Sequence, residues 1–287
     1  MVLNSKLVNL EIKSQNQMSE FRNRYGDWAL VAGSAIGLGK SFCTSLAKRG
    51  LNIVMIDNRE DDLINLASQL TRDFGVQTIP LTIDLFQKDA VSQIMEKTAE
   101  TEIRLMIYVA AFSQIKRFER YKTDDLDSYI NVNIGTPLKL VHAFSSRLIS
   151  KKKSGGILLM SSLSGLLGMQ YIAPYAASKA FTWNLAESLH HDLKPHKIDI
   201  MACIAGATAT EAYLGTNPKY GFIKPLVQQP QTVTELALKN LSKKTLYVPG
   251  FSNRFSYFIL TRILPRKLAS YFANKTMEGM YTDEIGK

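Results

Sequence analysis

The sequence predicts a doubly wound α/β fold, a mostly parallel seven-stranded sheet with helices on both faces. Three observations carry that prediction. Short apolar runs rich in β-branched residues recur at Trp28–Ala32, Ile53–Ile56, Thr78–Ile83, Leu105–Ala111, Ile157–Met160, Ile198–Ile204 and Thr245–Val248, with the length and composition of buried parallel strands. Helical patterns separate them at Gly37–Arg49, Asp61–Phe74, Asp89–Ala99, Asp125–Ser150, Pro174–Leu193 and Val233–Leu241. The first strand also runs directly into a glycine-rich turn that opens a helix.

Punctuation along the chain agrees with these elements. Pro174 suits the first turn of its helix and Pro195 closes it. Thr232-x-x-Glu235 reads as a capping box. The 287 residues suit one open sheet with extensions: a polar, partly helical lead-in over 1–25, a single domain over 26–250, and a helical extension over 251–287 broken at Pro265. Within the domain, 207–231 lacks a clean pattern and interleaves Tyr213, Leu214, Tyr220, Phe222 and Ile223 with glycines and prolines. Such a loop in a compact domain is expected to be a substrate lid.

Composition narrows the function classes. Apolar residues make up 46% and charged residues 21%, as in a globular protein with ample core. The net charge of +10 comes with no nucleic-acid motif, so a solvated basic surface is expected and nucleic-acid binding is not. No apolar run reaches the length of a membrane span, and the N-terminus carries no signal-peptide core. Cys43 and Cys203 stand far apart in apolar stretches, and two cysteines so placed form neither a metal spacing nor a disulfide framework. A cytoplasmic location is expected. His190, His191 and His196 cluster at the end of a helix, where the helix dipole accounts for them. With no partner spacing beside them, no metal is expected.

The glycine turn reads Gly33-Ser34-Ala35-Ile36-Gly37-Leu38-Gly39. Between a strand and a helix, it lets the backbone approach a pyrophosphate, which the free N–H groups of the helix N-terminus receive. This is the opening of a Rossmann-type, dinucleotide-binding sheet. Asp57 closes the second strand, where a carboxylate accepts the adenosine ribose hydroxyls and repels a 2′-phosphate. NAD is therefore the expected cofactor. Arg59, two residues on, leaves NADP possible. The alternative role for Asp57 is a turn residue before Asn58.

Tyr175 and Lys179 lie one helical turn apart, and Ser162 precedes the tyrosine by thirteen residues. At i and i+4 the two side chains share a helix face, so the ammonium is expected to lower the phenol's pKa. Tyr175 then acts as acid in reduction and base in oxidation. Ser162, at a strand end, can hold the substrate oxygen; Ser161 is the neighbouring alternative.

These motifs, Gly33-x-x-x-Gly37-x-Gly39 and Tyr175-x-x-x-Lys179, with Asn133 and Ser162 at matching places, resemble those of the short-chain dehydrogenase/reductase family over about residues 26–250. The resemblance implies an NAD(P)-dependent oxidoreductase. It implies that Lys179 also binds the nicotinamide ribose and that Asn133 helps hold a water relaying protons to Lys179. It sets Asp84-Leu85 against adenine, Asp84 being alternatively a helix N-cap, and brings Thr210, with Thr208 close by, to the nicotinamide carboxamide. The chain departs from the family at Tyr108-Val109-Ala110-Ala111, where two asparagines are usual; Ala110 keeps the backbone open to the adenosine. It departs again at Ala205, in place of proline, and at Ala32, in place of threonine. These departures motivate an alternative, a cofactor-binding regulator or scaffold of the same fold. Family members commonly form homodimers or homotetramers.

Leu163, Leu166, Leu167, Met169, Tyr171 and Ile172, between Ser162 and Tyr175, predict an apolar pocket for a lipophilic alcohol or ketone. In the tail, Phe255, Phe258, Ile259, Ile263 and Leu264 alternate with arginines. That pattern fits a segment packed over the pocket, one packed on a partner subunit, or an interfacial helix touching a membrane.

Overall fold

A computed structural model describes residues 18–220 and 225–285, with side chains through Tyr281. Seven strands, β1 (Trp28–Ala32), β2 (Asn52–Asp57), β3 (Thr78–Thr82), β4 (Ile103–Tyr108), β5 (Gly155–Ser162), β6 (Ile198–Ala205) and β7 (Leu246–Tyr247), form one sheet in the order β3-β2-β1-β4-β5-β6-β7. Every pairing is parallel. The order turns around between β1 and β4, which opens a crevice at the carboxyl ends of these strands.

Among the described residues, ten α-helices that follow β1 connect and extend the strands: α1 (Gly37–Ala47), α2 (Glu60–Phe74), α3 (Ala90–Lys97), α4 (Thr123–Ile130), α5 (Thr136–Ser150), α6 (Ala173–Leu193), α7 (Glu211–Leu214), α8 (Pro230–Asn240), α9 (Phe251–Phe258) and α10 (Arg266–Ile285). Strand side chains alternate between two cores, as the pleat requires. Ala29, Val31, Ile53, Met55, Leu105 and Ile107 meet α1, α2 and α8 on one face. Leu30, Ala32, Val54, Ile56, Met106 and Tyr108 meet α3, α5 and α6 on the other. Both cysteines are buried.

Several boundaries move for physical reasons. The fourth strand stops at Tyr108 rather than Ala111, since the N–H groups of Val109 and Ala110 both turn to the Ala32 carbonyl. The expected capping box at Thr232 does not form. Pro230 starts α8 three residues earlier, with Gln229 as N-cap, and Glu235 instead pairs with Arg49 of α1 through Oε2 at 2.6 Å. The single helix expected over Asp125–Ser150 is α4 and α5 joined by a π turn at Asn131–Gly135. Pro137 explains how the wide turn is sustained. It has no N–H to offer, so the Val132 carbonyl, displaced from its helical partner, accepts the Tyr108 hydroxyl at 2.7 Å.

Residues 18–25 are helical and are fastened far along the chain. Tyr25, 1% exposed, packs on Gly156, and its hydroxyl reaches Asp199 at 2.8 Å. Arg24 pairs with the same carboxylate through two nitrogens, at 2.6 and 2.8 Å.

Candidate active site

The glycine turn is built to bring backbone close to a ligand. Gly33 holds φ +84°, and a Cβ there would lie 2.5 Å from the Ala110 nitrogen. At Gly39 a Cβ would overlap the Gly33 carbonyl oxygen. The N-terminus of α1 has no side-chain cap and no acidic residue in its first turn, so its N–H groups and dipole face the crevice unopposed, as a pyrophosphate requires. A cleft of about 390 Å³ opens there. Its walls include Gly33, Ile36, Gly37, Leu38, Asp57, Asp84, Leu85, Ala110 and Thr210. Asn58 and Arg59, which follow Asp57 in the sequence reading, also line it, and Ile83, Phe112, Val132 and Ala212, which no motif marked, complete much of the remainder.

The other expected contacts serve the turn from behind. The Ser34 hydroxyl donates to the Ile56 carbonyl at 3.1 Å, and Gly39 packs on Gly33. Asp57 is nearly buried, and its carboxylate accepts the N–H groups of Ala35 at 2.9 Å and Arg59 at 3.2 Å. It therefore pins the turn as well as facing the cleft. Arg59 is held by Asp62 at 2.7 Å. Asp84 caps no helix; it accepts Phe86 N–H at 3.0 Å in a tight turn of its own, six residues before α3. Of the two threonines, Thr210 faces the cleft beside Gly37. Thr208 is buried, and its hydroxyl donates to the Gly206 carbonyl at 3.0 Å.

Replacing Gly39 with alanine is expected to force α1 away from the turn, costing about 1–3 kcal/mol of stability together with most of the dinucleotide affinity. Thermal unfolding and a cofactor-fluorescence titration check both effects. An alanine variant that melts and binds like the parent contradicts the close packing of this turn.

At the carboxyl end of β5, Ser162 and α6 bring together the expected acid–base group. The Ser161 hydroxyl donates to the Lys179 carbonyl at 2.7 Å, which fixes α6 against the strand and leaves Ser162 as the serine at the site. Ser162 Oγ accepts both the N–H and the hydroxyl of Ser164, at 3.2 and 2.9 Å. Its own proton is thereby free to point outward. A hydrogen bond with Ser162 lowers the Tyr175 phenol, but burial outweighs it and raises that phenol to about 12.

Lys179 is 5% exposed. Its Nζ lies 5.4 Å from the Tyr175 ring centre and donates to the Met160 carbonyl at 2.9 Å. Burial lowers it from 10.5 to about 8. The expectation that the ammonium lowers the tyrosine's pKa is thus corrected. The pair does share a helix face, but the lysine is turned to a carbonyl and desolvation dominates the phenol.

Asn133 sits in the π turn, a device common at functional sites. Its amide clamps Phe112, accepting the N–H at 2.7 Å and donating to the carbonyl at 2.9 Å, and also donates to Ser178 at 3.1 Å. The side chain is fully engaged. Its main-chain carbonyl has Pro137 at the helical i+4 position, where no N–H exists to meet it.

The apolar stretch before α6 divides. Met169, Tyr171 and Ile172 surround Tyr175, as expected of a substrate wall. Leu163, Leu166 and Leu167 turn away to meet Tyr257, Leu260, Leu264 and Ala269 of the tail. The wall beside Tyr175 is finished by Ile115, Tyr220, Met277, Met280 and Tyr281, the last three lying about a hundred residues beyond Tyr175 and marked by no motif. Within the segment expected to form a lid, Tyr213 meets Tyr220, their hydroxyls 3.0 Å apart; Phe222 and Ile223 lie outside the described residues.

This arrangement can move a hydride to or from a carbon while a phenol exchanges a proton with the attached oxygen, which is the chemistry of an NAD(P)-dependent oxidoreductase. The chain belongs to the short chain dehydrogenase family, whose pattern it matches over residues 27–220. It is 28% identical over 234 residues to a 7beta-hydroxysteroid dehydrogenase of Clostridium sardiniense, covering 82% of this chain and 89% of the relative. It is 27% identical over 275 residues to a very-long-chain 3-oxoacyl-CoA reductase of Rattus norvegicus, covering 92% and 85%. Among solved structures, one from work on 7beta-hydroxysteroid dehydrogenase stereoselectivity superposes with a TM-score of 0.79 at 24% identity, covering 88% of this chain and 98% of the other.

Proposed function

We propose that this chain interconverts a bulky lipophilic ketone and its secondary alcohol, using NAD(H) in preference to NADP(H). The observation that carries the reading is the setting of Tyr175: a phenol paired with Ser162, backed by a buried lysine, and walled by apolar side chains from the loop before α6 and from α10. A bound nicotinamide supplies or accepts the hydride. The Ser162 hydroxyl orients the substrate oxygen and stabilises its charge as it develops. Tyr175, protonated throughout the neutral range, donates its proton to that oxygen in reduction. In the oxidative direction it must first lose the proton, with Lys179 and the Asn133 carbonyl providing the route outward. Relatives named for a hydroxysteroid and for a very-long-chain oxoacyl group agree with a long apolar wall. The family's habit of pairing copies makes a homodimer or homotetramer part of the same reading. The decisive assay follows NADH consumption across a panel of bulky ketones, hydroxysteroid and long-chain oxoacyl compounds among them; binding of cofactor with no turnover on any of them would leave the regulator alternative in its place.

The preference for NAD(H) rests on Asp57, which keeps lone pairs for ribose hydroxyls after accepting Ala35 and Arg59, and on Arg59, engaged by Asp62. A charged hydrogen bond together with avoided repulsion is worth roughly 1.5–3 kcal/mol, about one to two powers of ten in affinity. NADH is expected to bind that much more tightly than NADPH. Asp57→Ser should erode the preference and lower the melting temperature, because two backbone N–H groups lose their acceptor. Adding Asn58→Arg should reverse the preference by supplying a phosphate partner. Tighter binding of NADPH by the unmodified protein would show that Asp57 serves the turn alone.

A further inference from the structure

The tail presents an outer surface that the proposed reaction does not use. Phe251, Phe255 and Phe258 follow one another at i, i+4 and i+7 along α9, and all three are exposed, Phe251 at 79%. Leu268, Tyr271 and Phe272 repeat the pattern on α10 at i, i+3 and i+4, with Tyr271 at 62% exposure. The opposite sides of both segments rest on one support: Tyr257 and Leu260 from the first, Ala269 and Ala273 from the second, pack with Leu163, Leu166 and Leu167. Both segments thus bury one side against that cluster and leave their aromatic side outward. Together they make an apolar, aromatic-rich outer surface, and α10 continues from it to Met277 and Met280, which pack with Tyr175. Exposed surface of this kind marks a site of association.

Charge identifies the occupant. Between Glu235 and Glu278 the chain contains no carboxylate and eight lysines and arginines. Arg254 flanks the phenylalanine face of α9, and Arg262, Arg266 and Lys267 sit exposed at the bend between the helices. A symmetric contact with a second copy would set this stretch against itself, cation on cation, with no carboxylate of the stretch to relieve it. Aromatic and aliphatic side chains that enter an acyl boundary, beside arginines and lysines that reach phosphate, are the chemistry of an interfacial anchor. None of the described helices is long and apolar enough to cross a bilayer. We propose that α9 and α10 seat this protein on the surface of an anionic phospholipid bilayer. The proposal depends on no step of the reaction above.

Co-sedimentation of the full chain with phosphatidylcholine vesicles, with and without phosphatidylglycerol, tests it. Binding is expected to the anionic vesicles, more than tenfold weaker to phosphatidylcholine alone, and weakened by high salt. Phe255→Ser with Phe258→Ser should abolish sedimentation while preserving thermal unfolding and NADH titration. Arg262→Glu with Lys267→Glu should weaken it by more than tenfold, each exposed cation contributing severalfold near an anionic surface. Failure of the parent to sediment with anionic vesicles overturns the proposal, as does a serine double variant that binds like the parent. Sedimentation velocity guards against the rival occupant: an oligomer that falls apart in the serine double variant assigns this outer surface to a second copy instead. Since partitioning rather than turnover is read, loss of this proposal leaves the assigned chemistry standing, and the reverse.

Discussion

Tyr175→Phe is expected to lower turnover by roughly 10²–10⁴-fold while leaving cofactor affinity within a factor of a few of the parent. The range is that of losing a positioned general acid or base. The phenol is the only group of the site whose proton is proposed to reach the substrate oxygen. The ring itself is retained in the phenylalanine variant, so the contacts with Ile172, Met277 and Met280 persist and the wall keeps its shape. The pH dependence carries further information. Burial sets the phenol near 12, so the donor stays protonated across the neutral range and reduction should show no loss attributable to it below that value. Oxidation requires the phenolate and should quicken as pH rises. Steady-state rates in both directions, with a parallel NADH titration, check all three statements. Near-normal turnover of the phenylalanine variant would remove Tyr175 from the chemistry.

Lys179→Met is expected to reduce turnover at least as severely and to weaken cofactor binding as well, since one ammonium is proposed to serve both the proton route and the nicotinamide ribose. Its stability should move in the opposite direction. The fall of the lysine from 10.5 to about 8 on burial corresponds to roughly 3 kcal/mol held against the folded state at neutral pH, offset in part by the bond to the Met160 carbonyl. The sign follows from proton binding. Between pH 8 and 10.5 the unfolded chain holds more protons on this group than the folded one, so the lysine protein gains stability as pH rises through that window. The methionine variant has no such gain. Its advantage in melting temperature should be largest below pH 8 and should vanish above about 10.5. Tyrosines titrate in both proteins and cancel in the difference. Equal melting curves for the two proteins at every pH would show that Lys179 is not desolvated, and unchanged cofactor affinity would remove the ribose contact.

What could be read from the sequence is what depends on neighbours along the chain. The seven apolar runs became the seven strands; in the five central ones, β1, β2, β4, β5 and β6, nearly every residue is buried, and a strand so placed needs only a short apolar stretch. The glycine turn, Asp57 at its strand end and the shared face of Tyr175 and Lys179 are local in the same sense. Contacts made at long range gave no such signal. Met277, Met280 and Tyr281 complete the wall at Tyr175 from a helix that the sequence marks only as amphipathic. Thr208 and Thr210 look alike in sequence, and only the path of the loop decides which one faces the cleft. The π turn at Asn131–Gly135 arises from a proline six residues beyond its start and a tyrosine on β4, a conjunction that periodicity does not reveal. The pairing of Tyr175 and Lys179 on one helix face was recognisable, but its electrostatics was not: the ordinary values of a phenol and an ammonium are moved by how much water each has lost.

The anchoring of residues 18–25 bears on the order in which the molecule is made. These residues leave the ribosome before any strand, yet their fixed points are Gly156 at the start of β5 and Asp199 in β6, the latter 174 positions beyond Tyr25. The contacts that seat this helix cannot form until the chain has been made through Asp199 in β6. A contact of such separation gains nothing until most of the loop-closure entropy has already been met. During synthesis the beginning of the chain therefore waits on its second half, with Phe21 and Tyr25 still open to solvent and to any chaperone that recognises aromatic segments.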